Sequence, residues 1–247
     1  MKINYRVNGE NLEILIKKSL DNSIINTIES LKSDKKILLV YDKNINKNLI
    51  NKFVKILKSS GCKVIALKFL GNKKNKNEKS LLRLIDIMID NKFTKKSVVV
   101  SFGGGVVGDM SALASSLYYR GLIYLNIPTT MTSIIDSCIG GKTAINYKNI
   151  INSLGNYYHP KTVFIYNDII QNIPDREFKS GIPEILKCGL LKKNKILSIL
   201  QEKKELILKR DYNIISQLCS ETLKTKIFFF KSDIFEKNKR LLLNFGH

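Results

Sequence analysis

Ser97-Val98-Val99-Val100-Ser101-Phe102-Gly103-Gly104-Gly105-Val106-Val107-Gly108-Asp109-Met110 is the stretch that decides the fold. A β-branched run stops at three glycines, and an apolar pattern with helical spacing follows from Val106 through Tyr119. Gly103, Gly105 and Gly108 satisfy G-x-G-x-x-G between a strand and a helix, the context in which that pattern carries meaning. Glycine permits positive φ in such a turn and lets an anion approach the backbone. The amides and positive end of the following helix then hold the anion. The expectation is a nucleotide or phosphate site, with a plain glycine turn as the alternative.

Working outward, Lys35 to Tyr41 reads as a buried strand around Ile37-Leu38-Leu39-Val40, ending at Asp42. Ile45 to Ser60 carries helical spacing and ends near Gly61. Lys63 to Phe69 reads as a strand, Leu81 to Ile89 as a helix, and Leu122 to Ile127 as a strand ending at Pro128. Strands alternating with helices predict an α/β domain with a parallel sheet covered on both sides. Ligands of such sheets sit at the carboxyl ends of strands, where Asp42, Gly103 to Asp109 and Thr129-Thr130 fall. After Pro174 the texture changes. Glu177 to Leu208 and Asn213 to Phe230 read as helical. The expected organisation is an α/β domain over 1–175 followed by an α-helical one over 176–247.

The 247 residues, 44% of them hydrophobic, are enough for a real core. The net charge of +21 raises nucleic acid, a membrane surface or an anionic substrate as partners. The lysines, however, sit beside Asn and Ile throughout, as in Lys73-Lys74-Asn75-Lys76-Asn77. That is a chain-wide bias and a solvated surface, so neither a nucleic acid nor a membrane partner is expected. Cys62, Cys138, Cys188 and Cys219 form no C-x-x-C pair, and buried reduced thiols in a cytoplasmic protein are the expectation. The N-terminus has no apolar h-region, and no apolar run approaches membrane-spanning length.

Three constellations carry chemistry. Asp136, Lys142 and Asn152 lie around Ile139-Gly140-Gly141-Lys142-Thr143, and a lysine after two glycines reaches a phosphate or carboxylate without steric obstruction. A surface lysine in a turn is the plainer alternative. Glu184-x-x-Lys187 puts both side chains on one helical face, as an ion pair or as a metal ligand beside a substrate-binding cation. His159 before Pro160 reads as structural. His247 follows Asn244-Phe245-Gly246, with Arg240 one helical face away. Paired with Glu184 it gives two ligands, where a catalytic Zn²⁺ normally takes three plus an open position.

Together these segments resemble the 3-dehydroquinate synthase family. The matching stretches are Gly103 to Asp109, Tyr118-Tyr119-Arg120-Gly121, Pro128-Thr129-Thr130, Asp136 to Thr143, Gly181-Ile182-Pro183-Glu184-Ile185-Leu186-Lys187 and Leu243-Asn244-Phe245-Gly246-His247. Other sugar phosphate cyclases and polyol dehydrogenases resemble the chain less closely. The resemblance implies a Rossmann-like NAD-binding domain and a helical domain binding a divalent metal, Zn²⁺ or Co²⁺. It implies 3-deoxy-D-arabino-heptulosonate 7-phosphate as substrate, with 3-dehydroquinate and phosphate as products, in the shikimate pathway. It also implies a homodimer in the full-length form. Asp42 and Asn44 match ribose and adenine contacts. Gly104, Gly105, Val106, Val107, Gly108 and Asp109 match the pyrophosphate loop. Lys76, Thr129, Thr130 and Lys142 match further cofactor positions. Asp136, Lys142, Asn152, Lys187, Lys226, Arg240 and Asn244 match substrate-side positions, and Arg120 matches a phosphate contact supplied across the dimer. Glu184 and His247 match two of three metal ligands.

The sequence also departs from that family. Lys73 stands where the family has a glutamate, Ile151 where it has a lysine, and Cys188 where it has a tyrosine. The sequence stops at His247, ahead of the family's later histidines, which carries the expectation of a truncated helical domain and little or no turnover. The leading expectation is a synthase of that family without its C-terminal part, and a non-catalytic nucleotide-binding remnant is an alternative that those departures support. A basic nucleic-acid module needs aromatic–basic interleaving that is not visible.

Overall fold

Ile3, Tyr5 and Val7 alternate with Lys2, Asn4 and Arg6, which buries one face of a strand and wets the other. In the computed structural model, which describes residues 1–246, this becomes β1 (Lys2–Val7), paired antiparallel with β2 (Glu10–Lys17). Asn8 and Gly9 both take positive φ between them, the requirement of a tight hairpin turn. The expected elements begin only at Lys35, so this hairpin is an addition. Its signal was an Asn-Gly pair between two alternating runs.

The chain continues through α1 (Ser23–Ser30), β3 (Lys36–Asp42), α2 (Lys47–Ser59), β4 (Lys63–Phe69), α3 (Glu78–Asp90), β5 (Val98–Gly103), α4 (Gly105–Leu117) and β6 (Ile123–Pro128). A second hairpin follows, β7 (Lys142–Tyr147) and β8 (Ile150–Tyr157), then β9 (Thr162–Tyr166). The main sheet runs β1-β2-β9-β6-β5-β3-β4, parallel except for the first pair. The expected α/β parallel sheet is therefore present.

Continuous apolar runs suit strands covered on both faces. In β3, Ile37 and Leu39 pack with Phe53 and Leu57 of α2, while Leu38 and Val40 pack with α3 and α4 on the other face. At the β2–β9 end, Ile14, Val163 and Ile165 share a core with the helices that follow.

Those helices are α5 (Asn167–Gln171), α6 (Asp175–Ser180), α7 (Ile182–Leu191), α8 (Ile196–Glu202), α9 (Lys204–Leu208) and α10 (Tyr212–Phe230). The helical stretch expected over 177–208 is thus divided. Pro183 in the first turn of α7 starts a new helix, and the Asn194 side chain accepts from the Ile196 amide just ahead of α8. The longest helix, α10, begins at the Asp211 carboxylate, which accepts from the amides of Asn213 and Ile214. All four cysteines are free and buried, as expected. Among the described residues no helix is long and apolar enough to cross a membrane.

Candidate active site

β3 pairs with β4 on one side and β5 on the other, so the sheet order reverses between β3 and β5. The crevice at their carboxyl ends is the switch point where ligands of open α/β sheets bind. Asp42 ends β3 and Gly103 ends β5. Gly104 is the N-cap residue and α4 starts at Gly105. The first-turn amides of Gly105, Val106 and Val107 have no earlier carbonyl within the helix to bond, and the helix dipole adds positive potential there.

None of Gly103, Gly104, Gly105 and Gly108 has positive φ, contrary to the turn geometry expected for this motif. Space constrains the first three instead, whereas a Cβ on Gly108 would meet only ordinary contacts, at 3.8 Å from the Tyr124 hydroxyl and 3.9 Å from Asn126 Nδ2. A Cβ on Gly103 falls 2.7 Å from Val107 Cβ, one on Gly104 3.1 Å from Thr130 Cγ2, and one on Gly105 3.1 Å from Ser137 Oγ. A cavity of about 830 Å³ opens over this loop, lined by Asp42, Asn44, Gly104, Gly105, Val106, Thr129 and Thr130 among others. Val107 instead points into the core, and the Gly108 amide is already bonded to the Gly104 carbonyl. Asp42 Oδ1 accepts from the Asn44 amide, ordering the turn after β3. An open cradle of amides with a carboxylate at the neighbouring strand end fits a dinucleotide.

Lys76, Asp109 and Asn152 meet beside the loop. Lys76 Nζ is 2.5 Å from Asp109 Oδ2 and donates to Asn152 Oδ1 at 2.6 Å. Burial lifts the Asp109 carboxyl above the ordinary carboxylate range, and the Lys76 charge pulls it part of the way back. Asn152 sits at φ 54°, held by its amide bond to Asn146 Oδ1.

A second group lies between a π-helical turn (Ser133–Ser137), α7 and α10. Lys226 Nζ is 2.5 Å from Asp136 Oδ1 and 2.6 Å from Glu184 Oε1, while Lys187 Nζ is 2.8 Å from Glu184 Oε2. Lys187 also donates to the Leu243 carbonyl at 2.6 Å. Desolvation opposes the Glu184 charge, but bonds from Lys187 and Lys226 win and hold its carboxyl below the usual range. Burial likewise opposes the Lys226 charge, and Asp136 more than offsets it, raising the ammonium's pKa.

A third group joins the two halves of the chain. Glu236 pairs with Lys142 and accepts from Asn244 Nδ2 at 2.8 Å. Arg240 is buried, donating to the Gly140 carbonyl at 2.8 Å and the Ile234 carbonyl at 2.6 Å. Its guanidinium stacks near Tyr157 and Phe230. Asp233 accepts from the amides of Lys237, Asn238 and Arg240, building the loop that carries these groups. Glu236 and Asp233 were not among the expected site residues. Their only sequence signal is two acids among the basic residues ahead of Arg240. Gly140 and Gly141 take φ of 83° and 71°, and a Cβ on Gly141 meets the His159 ring at 2.8 Å. Among the described residues neither His159 nitrogen has a hydrogen-bond partner, and burial pushes its pKa down to about 4.

Arg120 stands apart, exposed at the far end of α4 with φ 63°. His247 lies outside the described residues. Among the described residues no three His, Cys, Asp or Glu side chains come together as a metal site. Two carboxylates, Asp136 and Glu184, do converge, but on the Lys226 ammonium. The residues described therefore fit NAD at the glycine loop and do not by themselves form a divalent-metal centre.

Residues 66–180 match the 3-dehydroquinate synthase N-terminal family and residues 181–247 its C-terminal family. The 3-dehydroquinate synthase of Prochlorococcus marinus subsp. pastoris is 31% identical over 250 residues, covering 100% of this chain and 69% of the relative. That of Dictyoglomus thermophilum is 37% identical over 174 residues, covering 70% of this chain and 49% of the relative. Among solved structures, 2-deoxy-scyllo-inosose synthase complexed with carbaglucose-6-phosphate, NAD⁺ and Co²⁺ superposes with a TM-score of 0.87 at 21% identity, over 100% of this chain and 68% of that one. The 2-epi-5-epi-valiolone synthase of Streptomyces hygroscopicus subsp. jinggangensis, with NAD⁺ and Zn²⁺, superposes at 0.85 and 23%, over 96% and 66%. With family matches extending from residue 66 to residue 247, the chain belongs to the 3-dehydroquinate synthase family.

Proposed function

We propose that this chain carries the NAD-binding and substrate-holding parts of a 3-dehydroquinate synthase acting on 3-deoxy-D-arabino-heptulosonate 7-phosphate. The observation that carries the reading is the convergence of Asp42, Gly104, Gly105, Thr129 and Thr130 on one cavity at the sheet's switch point. Bound NAD supplies a hydride acceptor and donor that is not consumed over the full reaction.

The first-turn amides of α4 receive the pyrophosphate, and Asp42 receives ribose hydroxyls. Lys76, held by Asp109 and Asn152, keeps a positive charge against α4, the helix that follows the glycine loop. Lys142, Lys187, Lys226, Arg240 and Asn244 supply donors suited to the phosphate and carboxylate of the substrate. Asp136 and Glu236 are the carboxylates set against two of those donors, Lys226 and Lys142. A divalent ion, Zn²⁺ or Co²⁺, belongs to the same reading, with Glu184 as its described ligand. Arg120, remote from the cavity of its own chain, serves as a phosphate contact across a homodimer in this reading.

The test is NAD titration of the chain and of Gly105→Val, which sets a branched side chain against the pyrophosphate position. The variant is expected to bind NAD at least about tenfold more weakly, a loss near 1.4 kcal/mol. Equal affinity in the two proteins would reject the site.

A further inference from the structure

The cavity over the glycine loop has a second wall. Asp168 and Ile169 of α5, Glu177 of α6, and Asn172, Ile173 and Pro174 between those two helices line it. Arg210, in the turn between α9 and α10, grips this wall from behind. Its Nη1 donates to the carbonyls of Ile170 at 3.2 Å and Gln171 at 2.6 Å, and its Nη2 donates to Asp175 Oδ1 at 2.6 Å. In return Gln171 Nε2 donates to the Arg210 carbonyl at 2.6 Å. The guanidinium also lies 4.8 Å from the centroid of the Phe178 ring in α6. These contacts fall on both sides of residues 172–174. Arg210 is buried and is not among the residues that line the cavity.

The last carbonyls of a helix have no partner within it, and a cation there also meets the negative end of the helix dipole. The five-residue α5 has that need at Ile170 and Gln171, and Arg210 meets it from a distant part of the chain. Arg210 itself follows α9 at φ 56°, the left-handed position after a helix where glycine is the ordinary choice. An arginine there bears backbone strain that a glycine would not. What it adds is a planar fork of donors, which fixes direction as well as distance.

We propose that Arg210 is a positioning residue for the cofactor cavity, fixing the Asn172–Pro174 wall so that it receives NAD without touching the cofactor itself. The inference rests on the reading of this cavity as the NAD site. It makes cofactor affinity depend on a residue of the helical part of the chain.

NAD is titrated into the full chain and its variants at a temperature where circular dichroism shows each to be folded. Arg210→Met is expected to bind NAD roughly tenfold more weakly, within the range of couplings carried by residues remote from a ligand. Arg210→Gly also removes every side-chain donor but relieves the left-handed strain, so it separates affinity from folding. It is expected to weaken NAD by a similar factor, and it decides the matter if Arg210→Met does not fold. Leu218→Ala truncates a buried residue of α10 and leaves the Arg210 bonds in place; it should lower the melting temperature yet keep NAD affinity within about twofold. An equal weakening by Leu218→Ala would reduce the arginine to general stability and overturn the proposal. So would unchanged NAD affinity in the Arg210 variants while Gly105→Val binds weakly. If Gly105→Val also binds NAD as the unaltered chain does, the cofactor reading falls and the proposal falls with it.

Discussion

Lys76 Nζ lies 2.5 Å from Asp109 Oδ2, tying the loop ahead of α3 to the second turn of α4. The side chains are 11% and 20% exposed, so this is a largely desolvated pair. Lys76→Met leaves the Asp109 charge buried without its main partner. The expected loss is about 3–5 kcal/mol in urea unfolding, because an uncompensated buried charge is what remains. Asp109→Asn in the same background should recover much of it. A loss below about 1 kcal/mol, the range of exposed ion pairs, would make the contact incidental.

Gly103 touches Val107 so closely that a methyl group has no room. Gly103→Ala is expected to cost about 1–3 kcal/mol of stability through overpacking. Adding Val107→Ala keeps the Val107 Cβ but removes Cγ2, also 2.7 Å away, and Cγ1 at 3.0 Å, so it should reverse part of that cost. Differential scanning calorimetry of the two variants measures it. Independent, additive losses would show that the two Cγ methyls of Val107 do not contribute to the collision.

His159 makes stability depend on acid. Its folded pKa is pushed down to about 4 by burial, and secondarily by the nearby Arg240 charge, from an ordinary 6.5. Between those values the unfolded chain holds a proton that the folded chain does not. This contribution is therefore complete above about pH 6.5 and is lost as the pH falls toward 4, by about 3 kcal/mol at most. His159→Gln should flatten the stability profile across that window. A profile unchanged by the substitution would assign the acid limb to other groups.

A protein of these 247 residues is expected to release phosphate from the heptulosonate phosphate, with NAD and Zn²⁺ or Co²⁺, well below the ordinary range of roughly 1–1000 per second. The reason is the occupied Glu184: both of its oxygens face ammonium groups, and a weakly held ion neither aligns nor polarises a hydroxyl. Turnover inside that range would show that the metal site assembles despite the lysines.

The charge of +21 is spread along the chain. Duplex DNA binding, measured by anisotropy across a salt series, is expected to be weak, sequence-independent and lost as salt rises. Sequence-selective binding that survives moderate salt would contradict this.

The sequence by itself determined the α/β alternation, because strand and helix periodicities differ and the glycine run marks their junction at residues 103–105. It also marked the lysines, carboxylates and glycines whose spacing carries the family's pattern. It did not determine why the loop is glycine. The glycine motif suggested positive φ, whereas packing against Val107 leaves no room for a Cβ at Gly103, and Thr130 and Ser137 crowd one at Gly104 and Gly105. Nor did it show the two hairpins as partners of anything, although Asn8-Gly9 marked the first. Strand order, and with it the switch point between β3 and β5, is decided by which apolar faces meet across many residues. Glu236 and Asp233 gain meaning only when the loop before Arg240 folds back onto Lys142 and Gly140. The same holds for Glu184. A helical Glu-x-x-Lys pair is a local feature, but the third charge, Lys226, arrives from α10, and only tertiary packing brings it between two carboxylates.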